Sequence, residues 1–357
     1  MSMNMKFNGR SVEDRNGNFN AGDPRIVVIG GGSGLSHLLR GLKQYTANIT
    51  AIVTMFDSGG SSGLLRHEFG YPPFGDLRQC LLALSRESEP AQSLEPVLDF
   101  RFEKESSLRG HNLGNLLLAA LTSLSGLEEA IERLSEVLQI QGQVLPVSLD
   151  QADLCAELQD RTVLKGETNI DLRGCSAPKI ERVFLKPRAK ANPHAVQAIL
   201  DADAIVIGPG DLYTSVIPNL LVSDIPQALQ QTSAPLIHVC NLMTKLGETD
   251  DFPASQFVCE INRYLEGRIV DWALVNTAPI PQEIQERYVI EGAKPVEADL
   301  DRLTQQEVKY LGSPFADNST PVRHNSVMLA QAILSLLHYN RIIETSPEFR
   351  QINSYSQ

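Results

Sequence analysis

Two stretches of the 357-residue chain pair glycines with hydroxyl side chains in a way suited to holding phosphate: Gly30-Gly31-Gly32-Ser33-Gly34 and Gly208-Pro-Gly210-Asp211-Leu-Tyr213-Thr214-Ser215. Backbone N–H groups of glycine-rich turns can cradle phosphate oxygens. Ser33, Thr214 and Ser215 can add hydroxyl donors, and so can Ser61 and Ser62 from a third stretch, Asp57-Ser58-Gly59-Gly60-Ser61-Ser62-Gly63. A diphosphate also calls for cations. Arg66 and Arg78 stand nearest in sequence; each can grip two oxygens or serve in a surface ion pair, and Lys245 has the same two readings. Asp57 can accept from a sugar hydroxyl or a base, hold a Mg²⁺ ion on phosphates, or cap its own turn. Asp76 reads as an N-cap, with a site role left open by its neighbour Arg78, and Asp211 can be purely local to its glycine turn.

Amides and rings complete the set. His111, with Asn112 and Asn115, opens a helix, where a histidine can meet an anion, act as a general acid or base, or be structural. Asn241 and Asn276 each end a strand and carry amides able to pair with a nucleobase edge. Tyr213 can stack on a ring or pack in a crevice wall. The sequence shows no Ser-His-Asp arrangement and no histidine pair at metal-ligand spacing; of the seven histidines, His37, His67 and His111 lie close to the glycine stretches.

The elements that must position these groups follow from periodicity. Residues 26–29 are β-branched and read as a buried strand, and Leu35, Leu38, Leu39 and Leu42 recur at helical spacing after the glycines. Strand, glycine turn and helix begin a nucleotide-binding βα unit, with the helix N-terminus offered to an anion. The spacing is neither G-x-G-x-x-G, since Leu35 and His37 stand where glycine is needed, nor a P-loop, since no Lys follows the glycines until Lys43. Further strands are predicted at 48–55, 204–207, 236–239 and 269–275, and helices at 77–84, 87–105, 116–124, 127–138, 194–200, 257–265 and 326–338. Short β-like pieces at 155–158 and 162–165 suggest a small antiparallel insertion over residues 144–172, with 183–185 returning to the main sheet. The alternation implies an α/β, Rossmann-like fold: a mostly parallel sheet with helices on both faces. Five polar clusters, Gly30–Gly34, Asp57–Gly63, Gly208–Ser215, Asn241–Asp250 and Asn276, fall just after strands, so they would line one rim of the sheet, where ligands bind in open parallel sheets.

Composition narrows the classes. Apolar residues make up 42%, enough for a sizeable core, and the net charge is −12, which argues against nucleic-acid and anionic-membrane surfaces. No apolar run reaches the roughly 18 residues of a membrane span. The polar stretch 1–24 lacks the apolar core of a signal peptide and reads as a disordered extension; 346–357 reads as a tail, and 25–345 as one domain. Five cysteines without a C-x-x-C motif indicate free thiols in a reducing compartment, and hence a cytoplasmic protein.

With those stretches in view, the chain resembles the CofD/YvcK family, within it the YvcK-like branch of gluconeogenesis factors. The resemblance rests on Gly30–Leu35, Asp57–Gly63, Gly75-Asp76-Leu-Arg78, Gly110-His111-Asn112-Leu-Gly-Asn115, Gly208–Asn219 and Asn241-Leu-Met-Thr244, which span most of the chain. It implies a Rossmann-like fold and binding of a nucleotide diphosphate, foremost a UDP-sugar, with nicotinamide dinucleotides a lesser expectation. It also implies a regulatory role linking carbon metabolism to cell shape, in which a homodimer or a regulatory protein partner would fit. The CofD branch implies the alternative, a transferase moving a phospho-lactyl group from a nucleotide diphosphate-linked donor onto a deazaflavin alcohol with Mg²⁺. An NAD(P)-binding oxidoreductase is a third reading. On the first, Gly31, Gly32, Ser33 and Gly34 would meet phosphate, Asp57, Asn241 and Asn276 sugar or base, and Gly208, Gly210, Tyr213 and Thr214 would close the site. Two positions depart from the branch: Ser58 stands where a second acid is usual, and Asp211 where a serine is usual.

Overall fold

The computed structural model describes residues 23–345 except 87, 104, 175–177 and 318. The expectations for residues 1–22, for the 346–357 tail and for Cys175 lie outside the described residues.

Seven strands form one parallel sheet: β1 (Ile26–Gly30), β2 (Ile49–Val53), β3 (Gln143–Pro146), and, after a small second sheet, β7 (Ala204–Ile207), β8 (Leu236–Val239), β9 (Trp272–Asn276) and β10 (Lys309–Ser313). Their order is β10-β9-β8-β7-β1-β2-β3, every pairing parallel. β1 is buried along its whole length, which is why it reads as an unbroken apolar run instead of an alternating one. The order reverses between β1 and β7. Right-handed crossovers running in opposite directions from that point place helices on opposite faces, as the sequence pattern implies.

The helices that matter for the rim are α1 (Gly32–Leu42), α2 (Gly60–Phe69), α3 (Gly75–Leu84), α4 (Glu89–Leu98), α5 (Leu113–Ser125), α6 (Leu127–Leu138) and α7 (Glu167–Asp171). α1 buries Leu35, Leu38, Leu39 and Leu42, the stripe that its spacing predicts. The last helix, Ser326–Thr345, lies against α1, with Gly41 meeting the Ser326 backbone.

Several boundaries differ from expectation. Gln143–Pro146 pairs with β2 in the main sheet. The small antiparallel sheet consists of β4 (Asp153–Leu158), β5 (Val163–Lys165) and β6 (Ile180–Lys186), in the order β5-β4-β6. Residues 183–185 therefore stay in the small sheet, where Cys155 pairs with Phe184; apolar content alone does not say which sheet a strand joins. The helix expected over 87–105 ends at Leu98, and the strand expected from 269 begins at Trp272. β10 carries little alternation, its residues being half-buried or exposed, and escaped the pattern.

Candidate functional site

The rim is built where β1, β2, β7, β8 and β9 end. β1 stops at Gly30, Gly31 stands at the N-cap of α1, and the helix begins at Gly32 with φ +71°, a left-handed conformation that favours glycine. Neighbouring groups crowd this loop. A Cβ at Gly31 would lie 2.5 Å from an Asp76 carboxylate oxygen and 2.6 Å from the Thr54 methyl, and one at Gly34 would lie 2.8 Å from the Pro209 carbonyl oxygen. A Cβ at Gly210 would sit 3.1 Å from the Gly31 carbonyl oxygen. The two glycine turns therefore pack on each other and on Asp76; their glycines first serve contact within the protein.

Asp76 is not an N-cap. It lies in the first turn of α3, whose N-cap is Phe74, and its carboxylate accepts the Gly32 N–H. Burial, with Glu167 and Asp211 nearby, pushes its pKa up to about 6. Asp57 accepts the Gly59 N–H at 2.7 Å; burial raises its pKa, and it shares a hydrogen bond with Glu167. Glu167, at the start of α7, is raised by burial and by Asp57, and it also accepts the Ser58 N–H at 3.4 Å. Ser58 Oγ accepts the Thr168 N–H at 3.0 Å. Asp211 is pushed up to about 6 by burial and by Glu167, and its carboxylate meets Lys245 Nζ at 2.6 Å. Lys245 also pairs with Asp171 and with the buried Glu248. Four carboxyls from four elements thus form one acidic side of the rim. Among the described residues no three His, Cys, Asp or Glu side chains converge to hold a metal ion.

Beside that cluster the rim opens into two cavities lined by arginines and carboxylates. A cavity of about 200 Å³ lies between Ser33, Gly34 and His37 of α1, Pro209–Asp211, Asn241–Met243, Tyr288, and Val322–His324. It adjoins a second of about 240 Å³ that shares Ser33, His37 and Arg323 and adds Ser36, Arg40 and Arg78. The first sits outside the carboxyl ends of β1 and β7, the topological switch point where open α/β sheets take ligands. Arg40 pairs with Glu95 at 2.6 Å, and Arg78 pairs with Asp99. Arg323 is exposed, and its guanidinium has no ion-pair partner among the described residues. His37 titrates below the usual histidine range, chiefly through burial and then through Arg323 and Arg40. Larger cavities lie elsewhere, about 340 Å³ between Tyr71 and Gly126 and about 510 Å³ where β1 and β2 begin. Neither contacts the Gly30 or Gly208 turn, so size does not pick the site.

Several expected ligand groups are committed to the protein. Ser62 Oγ accepts the Gly75 N–H at 3.0 Å, and Ser61 Oγ accepts the Asn112 N–H at 3.2 Å and lies 3.3 Å from His111 Nδ1. Asn112 caps α5 through the Asn115 N–H, and Asn115 Oδ1 accepts from Arg78 Nε at 3.1 Å. Arg66 donates to the Ala152 carbonyl and pairs with Asp153, fastening α2 to the small sheet. Tyr213 and Thr214 are buried in a π-type turn, Leu212–Val216, so Tyr213 packs in the wall and offers no face for stacking. Thr244 Oγ1 accepts the Lys294 N–H. Asn276 donates to the Ala278 carbonyl and accepts the Ala316 N–H, which occupies both ends of its amide. Asn241 gives Nδ2 to the Gly210 carbonyl at 3.0 Å and lines the cavity. The lining residues Tyr288 and Arg323, and the acid Glu167, carry no mark in the sequence pattern, and His37 is marked only by its nearness to the glycine stretch. His37 had a usable signal, one turn after Ser33 on α1. Arg323, Tyr288 and Glu167 follow no strand–glycine cue.

The acidic side has a measurable consequence. Burial pushes the folded Asp76 carboxyl up to about 6, above the ordinary aspartate range, so the folded state holds its proton more tightly and stability falls as pH rises through that window. Asp76→Asn removes the charge. It is expected to be more stable than the parent above pH 7, by about 3 kcal/mol, with the gap closing toward pH 4. Thermal melts between pH 4 and 8 read this, and a gap independent of pH would contradict the raised pKa.

Residues 26–316 match the family 2-phospho-L-lactate transferase CofD. The chain is 44% identical over 319 residues to a putative gluconeogenesis factor of Thermoanaerobacterium thermosulfurigenes, covering 88% of this chain and 97% of that one. It is 41% identical over 317 residues to the gluconeogenesis factor of Bacillus subtilis (strain 168), covering 88% and 98%. A crystal structure of a Bacillus halodurans protein superposes with a TM-score of 0.83 at 44% identity, covering 87% of this chain and 99% of that one.

Proposed function

The chain belongs to the CofD family, and on that premise we propose that it is a cytoplasmic nucleotide-sugar-binding protein of the gluconeogenesis-factor type, which holds a UDP-sugar to regulate carbon metabolism and cell shape without turning it over. One observation carries the reading: at the β1–β7 switch point the exposed Arg323 borders a cavity lined by Ser33 and by the Pro209–Asp211 turn, beside the carboxyl cluster around Asp76. Ser33 and Arg323 at this cavity suit a diphosphate, which a guanidinium can grip through two oxygens. Asp57, Asp76 and Glu167 on the acidic side suit sugar hydroxyls, which donate to carboxylates. The Tyr288 ring and the free Oδ1 of Asn241 line the same cavity and suit a uracil face and its N–H. The choice of uridine rests on the resemblance to gluconeogenesis factors.

A second reading, a transferase acting on a nucleotide diphosphate donor, is favoured by Asp76, whose carboxyl burial pushes up to about 6 and which can therefore exchange a proton, with Asp57 raised by burial beside it. Mg²⁺ commonly takes one or two carboxylates together with phosphate oxygens. Asp57 and Asp76 are the pair that would hold it, and it would neutralise diphosphate charge beside the acidic side.

Calorimetric titration with UDP-glucose, GTP and NADH, each with and without Mg²⁺, tests the proposal. UDP-glucose is expected to bind without product forming. Release of a nucleoside monophosphate on adding a deazaflavin alcohol would move the protein to the transferase reading, and preference for NADH would overturn both.

A further inference from the structure

The cavity read as the diphosphate site has a carboxylate in its own wall. Among the described residues Asp211 is the acid that lines it, alongside Ser33, Asn241 and Arg323. An ionised carboxylate beside a diphosphate repels it, so a site of this kind needs that charge covered. Lys245 covers it. Its Nζ lies 2.6 Å from the Asp211 carboxylate and 3.0 Å from that of Glu248, and it also pairs with Asp171, the last residue of α7. The ammonium is held from behind, because the Glu248 side chain is fully buried. The Lys245 N–H donates to Thr249 Oγ1 at 2.9 Å, and the Lys245 carbonyl accepts the Glu248 and Thr249 N–H groups. Asn241, earlier in the same loop after β8, donates to the Gly210 carbonyl at 3.0 Å. The loop that carries the ammonium is thereby tied to the turn that carries the carboxylate.

We infer that Lys245 is a positioning residue of the phosphate site: its ammonium pins and neutralises Asp211, so that an aspartate can stand in the wall of a cavity that takes a diphosphate. The inference rests on the reading of this crevice as a nucleotide diphosphate site. Lys245 is not part of the cavity wall, whose guanidinium is Arg323, so it acts through Asp211 and does not grip the ligand itself. Without the ammonium the wall would carry one more uncompensated negative charge. Without the Asp211 charge the ammonium would have nothing to cover there, and its loss would matter little to a ligand.

Calorimetric titration with UDP-glucose at pH 8, above the Asp211 pKa of about 6, tests it. Lys245→Met is expected to bind about tenfold more weakly than the parent. Asp211→Asn/Lys245→Met should return to within about threefold of the parent, the coupling that a double-mutant cycle reads. That rescue separates the inference from a purely structural role, since damage to the loop around Glu248 would persist in the double variant. A folded Lys245→Met protein with parent-like affinity, or a double variant no better than Lys245→Met, would overturn the inference and leave the crevice as the ligand site. If Lys245→Met fails to fold, Asp211→Asn alone decides: it is expected to bind about tenfold more tightly than the parent, and equal or weaker binding would overturn the inference. A parent that binds no UDP-glucose would overturn the reading of the crevice itself, and this inference with it.

Discussion

An Arg323→Ala protein is expected to bind UDP-glucose about 100-fold more weakly than the parent, a loss of about 2.7 kcal/mol, while unfolding at the same temperature. Three guanidiniums border the crevice, and two are already spoken for, Arg40 by Glu95 and Arg78 by Asp99. Arg323 remains as the cation whose charge a diphosphate would satisfy. Hydrogen bonds to a charged group contribute about 1.5–3 kcal/mol each, and the forked guanidinium can make two. Arg323 is exposed and outside the core, so its removal leaves packing intact. Arg323→Lys should recover part of the affinity, since an ammonium supplies the charge without the fork. Calorimetry paired with thermal melts measures both effects. Parent-like affinity in Arg323→Ala would place the diphosphate elsewhere.

Gly34→Val should be the more damaging change, costing about 3 kcal/mol of stability and abolishing ligand binding together with it. The first side-chain carbon would approach the Pro209 carbonyl oxygen to 2.8 Å and its carbon to 3.1 Å. Both are backbone atoms, so relief requires the Gly208 turn to move off α1, which opens the wall the two turns share. Gly60→Ala is the matched comparison. Gly60 has φ +51° and no atom within 4 Å of the added carbon, so the cost there is backbone strain of about 1 kcal/mol. Chemical denaturation of both variants separates crowding from strain. Equal losses would show that the two glycine turns do not pack as described.

The unit from β1 through α1 was legible in the sequence because a fully buried parallel strand and an amphipathic helix each write a local pattern. The convergence of loops on one rim was legible too, since successive parallel strands all end on the same edge. What each loop residue does was not. Asp76 looked like a cap because its position before an apolar run is a local signal, whereas its burial comes from α1, from Glu167 and from the Gly208 turn, all remote in sequence. Ser61, Ser62, Asn112 and Asn276 looked like ligand groups because hydroxyl and amide side chains after strands serve phosphates and backbone N–H groups equally well. Arg323 and Tyr288 escaped notice because they reach the crevice from segments with no glycine turn. Residues 183–185 were assigned to the wrong sheet because pairing partners are not written in a strand's own composition.

The central claim is that Arg323 and the carboxyl cluster around Asp76, at the β1–β7 switch point, together hold one nucleotide diphosphate. A crystal structure of the protein soaked with UDP-glucose tests it most directly. The account predicts density for the diphosphate between Ser33 and Arg323, with the sugar toward Asp57 and Asp76. Density in the cavity between Tyr71 and Gly126, or where β1 and β2 begin, would contradict it.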